Sequence, residues 1–426
     1  MWRRIVGVQG AVQLISAAVA MRTPPPGPRG RTDAEEVENI LVIHDLSTNP
    51  AQAAEFAECL WDLAGMCAAW TRIVFIDAEA ESALRSQVQA GGWERARDTL
   101  RARLGCAECD ELLLGQNLLF LNSLLDRTFP NAEKSCYGDG LAINFSAAYY
   151  APRHHPVTGG DAAAAGWFAA LRRWIRRPAR PKSAAKVGGT AASRPPPLPT
   201  EEYRVAFARK YLLFPNMLDE HWPDCVQLDP EPFVELFARI ATELHRFDRG
   251  AGERLAAEVA RAEQTIVLLP SNFSETKRMR LRGEVACYQA CVAAVRRSEH
   301  PLVVIKPHPR DSRAKIERIR RSLANAGCRV EVLADPWTFY VPFESIYVRY
   351  IRRQVRDPRG LDIICVSSAC LSLEYLFGQR CHLGFGADRV RRFFAAKWRP
   401  LRQLHEADLH RLVAHARSRT GAATAA

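Results

Sequence analysis

The signatures that assign a chemistry at a glance are missing from this chain of 426 residues. No Gly-x-Gly-x-x-Gly follows the first strand-like segment, so a dinucleotide fold of the usual kind has no support. A Gly-rich loop ending in Lys-Ser/Thr and a Gly-x-Ser-x-Gly elbow are both absent, which removes P-loop ATPases and α/β-hydrolases. There is no Asp-x-Asp pair, and the spacing of Glu275, Asp335, Glu344 and Asp362 proposes no metal pair. Twelve cysteines are present, but Cys106 and Cys109 form a Cys-x-x-Cys with no second pair to complete a zinc site. The cysteines read as reduced, partly buried thiols of a cytosolic protein. His154 and His155 have no ligand partners spaced around them. Long apolar runs are wanting too. Residues 5–21 are moderately apolar, but Gly7, Gln9, Gly10, Gln13 and Ser16 leave them too polar, and the run is too short, for a membrane span. With Trp2-Arg3-Arg4 before them and the Pro- and Gly-rich residues 24–30 after, residues 1–37 read as a disordered N-terminal extension. The folded protein is expected to begin at Glu38.

What is present is apolar mass and positive charge. At 48% hydrophobic residues the chain is long enough for two domains with full cores. The net charge of +12 and pI near 9.3 suit anionic partners, and much of the excess lies in residues 172–186 and 389–402. A phosphate-bearing substrate, an acidic polysaccharide, nucleic acid or an acidic bilayer all fit that balance. Nucleic acid is disfavoured, because the basic runs lie in a linker and a tail with no nucleic-acid-binding sheet or helix-turn-helix around them. Contact of a cytoplasmic protein with the anionic inner membrane leaflet is the expectation for these runs.

Strand-like and helix-like segments alternate. Strands are expected at 39–43, 71–76 and 111–114, with helices over 51–70, 80–104 and 118–125 between and after them. That rhythm belongs to a parallel sheet covered on both faces. Residues 151–200 break it with a basic, Pro- and Ala-rich insertion that reads as linker. From residue 201 the alternation resumes, with strands at 265–269, 302–306, 330–333 and 361–366 and a basic tail from 389 to 426, mostly helical to 414 and expected to fray from 415. The expected fold class is α/β, two Rossmann-like domains facing a cleft. The first covers residues 38–250 and the second 262–388, with the boundary near 250–262.

The chemistry-bearing stretch is residues 302–310. Leu302, Val303, Val304 and Ile305 form an apolar strand that stops at Lys306-Pro307-His308-Pro309, because each proline removes a backbone donor and fixes φ. His308 is thus held on a stiff turn beyond a strand's carboxyl end, where such sheets deliver functional groups. Asp311-Ser312 can cap the charged helix that follows. A second strand, 361–366, ends in Ser367-Ser368 before a helix, and two hydroxyls with free N–H groups there make an anion site. Ser271 follows the strand 265–269 in the same way. In the first domain Gly138-Asp139-Gly140 makes a tight turn with a carboxylate at its centre. Phosphate binders, a leaving-group neutraliser and a base together suit transfer of a group from a nucleotide phosphate to an alcohol.

Those three motifs, in that order, resemble the bacterial sialyltransferases of GT-B fold, in particular the lipooligosaccharide sialyltransferases and α-2,8-polysialyltransferases. The likeness covers roughly residues 38–385, with a poor match over 151–200. It implies an inverting enzyme that needs no metal or cofactor for its chemistry and moves sialic acid from CMP-sialic acid to a hydroxyl of a cell-surface glycan. Asp139 is then the general base and His308 binds or protonates the CMP phosphate. Ser367 and Ser368 grip that phosphate or the ribose, Lys306 and Ser271 belong to the same donor site, and Pro309 keeps the His308 turn in shape. One position departs from the family: Gly138 stands where its first acidic residue is expected. Should that acid be required, the protein is impaired or uses Glu133. A donor such as CMP-Kdo, used in capsule or lipopolysaccharide assembly, is the alternative within the fold, and a non-catalytic binder of acidic glycans the alternative outside it.

Overall fold

The computed structural model describes residues 1–23, 36–44, 50–115, 119–138, 205–213, 225–243, 250–355 and 357–423. Two parallel sheets organise it. The first has seven strands in the order β3-β2-β1-β4-β5-β6-β7. These are β1 (Trp2–Val8), β2 (Val37–His44), β3 (Arg72–Ile76), β4 (Glu111–Leu114), β5 (Glu133–Cys136), β6 (Arg209–Leu212) and β7 (Cys225–Gln227). The second has five, ordered β10-β9-β8-β11-β12: β8 (Thr265–Leu269), β9 (Leu302–Ile305), β10 (Arg329–Val332), β11 (Leu361–Cys365) and β12 (Cys381–Leu383). All pairings are parallel. Parallel strands need crossover connections, and the helices in them cover both faces of the sheet. The central strands β8, β9 and β11 are accordingly buried at every position. This is the two-domain α/β architecture expected, a parallel sheet in each half.

The crossovers of the first domain are α1 (Ala11–Arg22), α2 (Pro50–Cys67), α3 (Ala78–Gly91), α4 (Trp93–Leu104) and α5 (Phe120–Thr128). Between the sheets run α6 (Pro230–Glu243) and α7 (Ala251–Arg261). The second domain carries α8 (Leu281–Val295), α9 (Arg313–Asn325), the short α10 (Pro336–Tyr340) and α11 (Phe343–Ile346), then α12 (Ala369–Phe377), α13 (Ala387–Phe393) and α14 (Arg399–Ala423).

The N-terminus overturns an expectation. Residues 2–22 are no extension: β1 pairs with β2 on one side and β4 on the other, and Ile5, Val6 and Val8 are fully buried. Helix α1 is buried along most of its length and packs on α2 and α6. A helix apolar all round belongs in a core. Of the residues that interrupt the run, Gln9 and Gly10 form the turn from strand to helix, while Gly7 lies within β1 and Gln13 and Ser16 within α1. The single helix expected over 80–104 is divided at Gly92, whose φ of 76° takes the chain out of the helical region. The tail does not fray after 414, since α14 continues to Ala423 and packs on α12 and β12. All twelve cysteines are free and all but Cys225 are buried. Among the described residues no helix is long and apolar enough to cross a membrane.

One buried apolar cluster joins the domains. It includes Val6, Leu41 and Phe56 of the first and Val304, Tyr340 and Ile363 of the second. Phe56 on α2 stacks on Tyr340 on α10 with ring centroids 4.9 Å apart. Each large side chain buried this way contributes about 1.5–3 kcal/mol, so the two sheets hold a common core.

Candidate active site

In each sheet the strand order reverses between two neighbours, β1 and β4 in the first, β8 and β11 in the second. Ligands of parallel α/β sheets sit outside the carboxyl ends of the strands at such points. Here both points open on one cleft of ≈ 570 Å³, a size suited to a cofactor or nucleotide-sized ligand. The first domain lines it with residues 9–13, which follow β1, and with Phe56 and Leu119. The second lines it with residues 269–270 after β8, 306–310 after β9, 340–344, and 367–369 after β11.

His308 lies on this wall, half-buried. Its turn closes on itself. The Asp311 N–H donates to the His308 carbonyl at 2.8 Å, and the His308 N–H donates to Asp311 Oδ2 at 2.9 Å. The Arg310 N–H donates to His308 Nδ1 at 3.1 Å. A backbone N–H can only donate, so Nδ1 is the acceptor and the ring proton sits on Nε2, as a donor. Burial lowers the imidazole pKa to about 3, helped by the cations Arg310, Lys315 and Lys306. The site therefore holds a neutral imidazole in a positive field, and an anion beside it would raise the imidazole pKa.

Ser367 and Ser368 also line the cleft. Ser368 is the N-cap of α12, yet its hydroxyl makes no cap hydrogen bond, and the first turn holds no acid. A cap residue ordinarily spends its oxygen on the helix N–H groups. Here the hydroxyl and the first-turn donors stay available to an anion. The turn is held from beneath, where the Cys365 and Cys370 thiols donate to the Ser367 carbonyl at 3.3 and 3.2 Å.

Three expected site residues sit differently. Lys306 borders the cleft but is buried, and its Nζ donates to the carbonyls of Phe339 at 2.6 Å and Pro307 at 3.2 Å. Burial lowers its pKa to about 8. Its ammonium braces the end of β9 and reaches the site through its field. Ser271 lies in a smaller adjoining pocket, which shares Arg278 and Ser367 with the cleft and is walled by Phe273, Phe394 and Trp398. Asp139 lies outside the described residues, as do His154, His155 and the basic run 172–186. Its neighbour Gly138 has φ 90°, a conformation L-residues rarely adopt. That accounts for glycine where the family carries an acid. Glu133 is no substitute for that acid. It starts β5, at the end of the sheet opposite the cleft, and pairs with Arg209 at 2.9 Å.

Several cleft residues escaped the sequence reading. Gln9 and Gln13 were hidden by the N-terminal misassignment. Gln13 Oε1 accepts the Gln9 N–H at 2.7 Å, and the buried Tyr137 hydroxyl, just before Gly138, donates to the Gly7 carbonyl at 2.6 Å. Arg278 lines the cleft and both it and its adjoining pocket; its place in the basic stretch 277–282 was a readable signal. Glu344 is the one carboxyl among the described residues of the cleft wall. It is 3% exposed, burial raises its pKa, and Ser372 donates to it. A lone acid inside the apolar stretch 338–351 could have flagged it. The basic run 389–402 is partly structural: the guanidinium of Arg402 is buried over the Phe273 ring at 5.0 Å and donates to the Val366 carbonyl at 2.9 Å.

Among solved structures, similarity is found to the UDP-GlcNAc 2-epimerase of Neisseria meningitidis bound to UDP-GlcNAc, at 9% identity over 91% of this chain and 85% of that one, with a TM-score of 0.44. The S. aureus MnaA–UDP complex matches at 10% over 89% and 78%, TM-score 0.41. The N-terminal domain of Candida albicans trehalose-6-phosphate phosphatase matches at 10% over 97% and 93%, TM-score 0.40. No curated protein matches the chain. The family model of alpha-2,8-polysialyltransferase (POLYST) matches residues 202–352, a segment that carries Ser271, Lys306, His308, Pro309 and Glu344. That match spans about a third of the chain, and over those residues the chain is similar to the alpha-2,8-polysialyltransferase family.

Proposed function

We propose that this chain transfers sialic acid from CMP-sialic acid to a hydroxyl of an acceptor glycan at the cell surface, with inversion at the anomeric carbon. The observation that carries the reading is the meeting of His308, Ser367 and Ser368, from two strand ends some sixty residues apart, on one cleft wall opposite residues 9–13. The His308 Nε2–H and the donors at the start of α12 hold the phosphate of the leaving CMP. As the glycosidic bond breaks, the phosphate gains charge, and fixed donors there stabilise the transition state more than the ground state. Pro309 stiffens the His308 turn, and Lys306 and Arg278 add positive potential. Glu344 accepts hydroxyl hydrogens of the bound sugars. Asp139 takes the proton of the attacking hydroxyl. In support, the chain reaches Gly138 through Tyr137, whose hydroxyl lies at 3.4 Å from the cleft residue Gln13.

Calorimetric titration with CMP, UMP, GDP and ADP, on the protein and on His308→Ala, tests this. Selective CMP binding weakened about tenfold or more by the substitution is the expected result. Another nucleotide binding through His308 overturns the CMP-sugar donor, and the absence of any nucleotide binding overturns the transferase reading.

Exposed basic residues of the second domain support a second reading, peripheral attachment to an anionic bilayer. The bridge between Met279 and Phe394 joins two basic stretches, and Lys277, Arg280, Arg282, Arg392 and Lys397 are exposed there. Binding to vesicles containing phosphatidylglycerol should fall steeply with salt, and salt-independent binding rules out attachment by charge.

A further inference from the structure

Beneath the His308 turn lies a cluster of charge that the transfer chemistry does not use. The Lys315 side chain, on α9, is fully buried, and its Nζ lies within hydrogen-bonding distance of four acceptors. These are Asp311 Oδ1 at 2.6 Å, the Ser271 carbonyl at 2.7 Å, Glu275 Oε2 at 3.0 Å and Glu284 Oε1 at 3.1 Å. Asp311 is buried as well, and each polar group it has is engaged. Oδ1 meets Lys315 and Oδ2 takes the His308 N–H, while its own N–H closes the turn onto the His308 carbonyl. Its carbonyl accepts the Gln52 amide at 3.2 Å, and Gln52 sits on α2, in the other domain.

A single buried carboxylate thus ties the backbone of His308 to a fixed ammonium on one side and to the opposite domain on the other. Loosening either tie moves the imidazole, and a contact that must lie within a few tenths of an ångström of a phosphate oxygen is sensitive to such movement. We propose that Asp311 is the positioning residue of His308, anchored by Lys315 and contacted across the domain boundary by Gln52, so that the set of the histidine and the seating of the two domains are fixed together. This rests on the reading of His308 as the phosphate contact, but its test does not.

The imidazole resonances of 15N-histidine-labelled full-length protein report His308 directly, once assigned by the signal that His308→Ala removes. The His308 Nε2–H signal should shift and broaden in both Asp311→Asn and Gln52→Ala. Unchanged His308 resonances in folded Gln52→Ala overturn the inference, whether or not Asp311→Asn folds and whether or not any nucleotide binds. CMP titration then separates positioning from general structure. The two variants should weaken CMP about five- to tenfold with His308 present and less than twofold in the His308→Ala background, because groups that act through one another are not additive. Equal losses in both backgrounds overturn the positioning role while leaving the donor site intact. If wild-type protein binds no CMP, the CMP-sugar donor falls and the resonance shifts alone decide Asp311.

Discussion

Replacing Lys315 by Met isolates the electrostatics of the buried cluster. The native site holds one ammonium against three carboxylates, with Asp311 and Glu284 fully buried and Glu275 largely so. Burial raises the Asp311 pKa to about 6, against the pull of Lys315. Burial also raises Glu275, but Lys315 and the Ser312 N–H outweigh it and hold Glu275 below its usual range. A group whose folded pKa is raised binds its proton more tightly in the native state. Its favourable contribution is therefore present at low pH and lost as pH rises through the folded pKa; for Asp311 that swing is about 3 kcal/mol at 1.36 kcal/mol per unit. Removing Lys315 leaves buried carboxylates without their cation, a change that costs about 3–5 kcal/mol in comparable sites. The cost should be largest where Asp311 is ionised, near pH 7.5, and should shrink by about 1–2 kcal/mol near pH 5, where Asp311 already carries a proton. Urea unfolding at the two pH values, with the slope checked for constancy, measures this. A loss below about 1 kcal/mol, or one that does not change with pH, refutes the reasoning, since a merely packed methylene stem has no reason to respond to protons.

The Ser368 hydroxyl caps nothing in the free protein, so Ser368→Ala should leave the melting temperature unchanged while weakening CMP about tenfold; matched losses in both mean the hydroxyl is structural. Gly138→Asp restores the family's acidic pair but forces an L-residue to φ 90°; it should cost about 1–2 kcal/mol and gain no transfer rate, and a faster enzyme of equal stability contradicts that account. His44, 1% exposed at the end of β2, has its pKa lowered to about 3 by burial, with Asn122 opposing. The unfolded chain therefore takes up this proton first, and the stability it supplies is complete above about pH 6.5 and lost progressively toward pH 3. Between pH 7.5 and 5 the wild type should lose about 2 kcal/mol more than His44→Asn, and parallel losses exclude the histidine as the source.

The site-bearing strands of the second domain were readable because each is short, wholly apolar and ended by residues that cannot continue it. Leu302–Ile305 stops at Lys306-Pro307 and Leu361–Cys365 runs into Ser367-Ser368. The same logic failed where polarity is satisfied by neighbours. The β5 sequence Glu-Lys-Ser-Cys does not resemble a strand, yet Glu133 pairs with Arg209 on β6 and Lys134 with Asp126, so its charges are partnered. Strands β6 and β7 escaped for a related reason, lying toward one edge where packing demands less apolar sequence. The first strand was lost to context. Ile5-Val6-Gly7-Val8 alone is an ordinary buried strand, but with Trp2-Arg3-Arg4 before it and the Pro- and Gly-rich residues 24–30 after its helix the segment reads as an extension. That context hid Gln9 and Gln13, and with them most of the first-domain wall of the cleft.

The division of charge across the cleft bears on the base. Its second-domain wall carries Arg278, Lys306, His308 and Arg310 against the single carboxyl of Glu344. The described residues of the first-domain wall (Gln9, Gly10, Ala11, Val12, Gln13, Phe56 and Leu119) include no titratable side chain. In the proposed transfer that division puts the donor phosphate on the second domain and the acceptor hydroxyl on the first, so the proton of that hydroxyl has two candidate destinations, Asp139 just beyond Gly138 or Glu344 from across the cleft. Their environments separate them. Glu344 is buried, accepts from Ser372 and lies in the field of Lys306, which suits a fixed acceptor for sugar hydroxyls. Asp139→Asn should cut kcat by about 10²–10⁴ and leave CMP affinity intact, the pattern of a lost general base. Glu344→Gln should act mainly on the KM of a substrate. If Asp139→Asn keeps its turnover while Glu344→Gln loses it together with the acid limb of the pH–rate profile, the base lies on the second domain and the Gly138-Asp139-Gly140 turn serves the acceptor only as a shape.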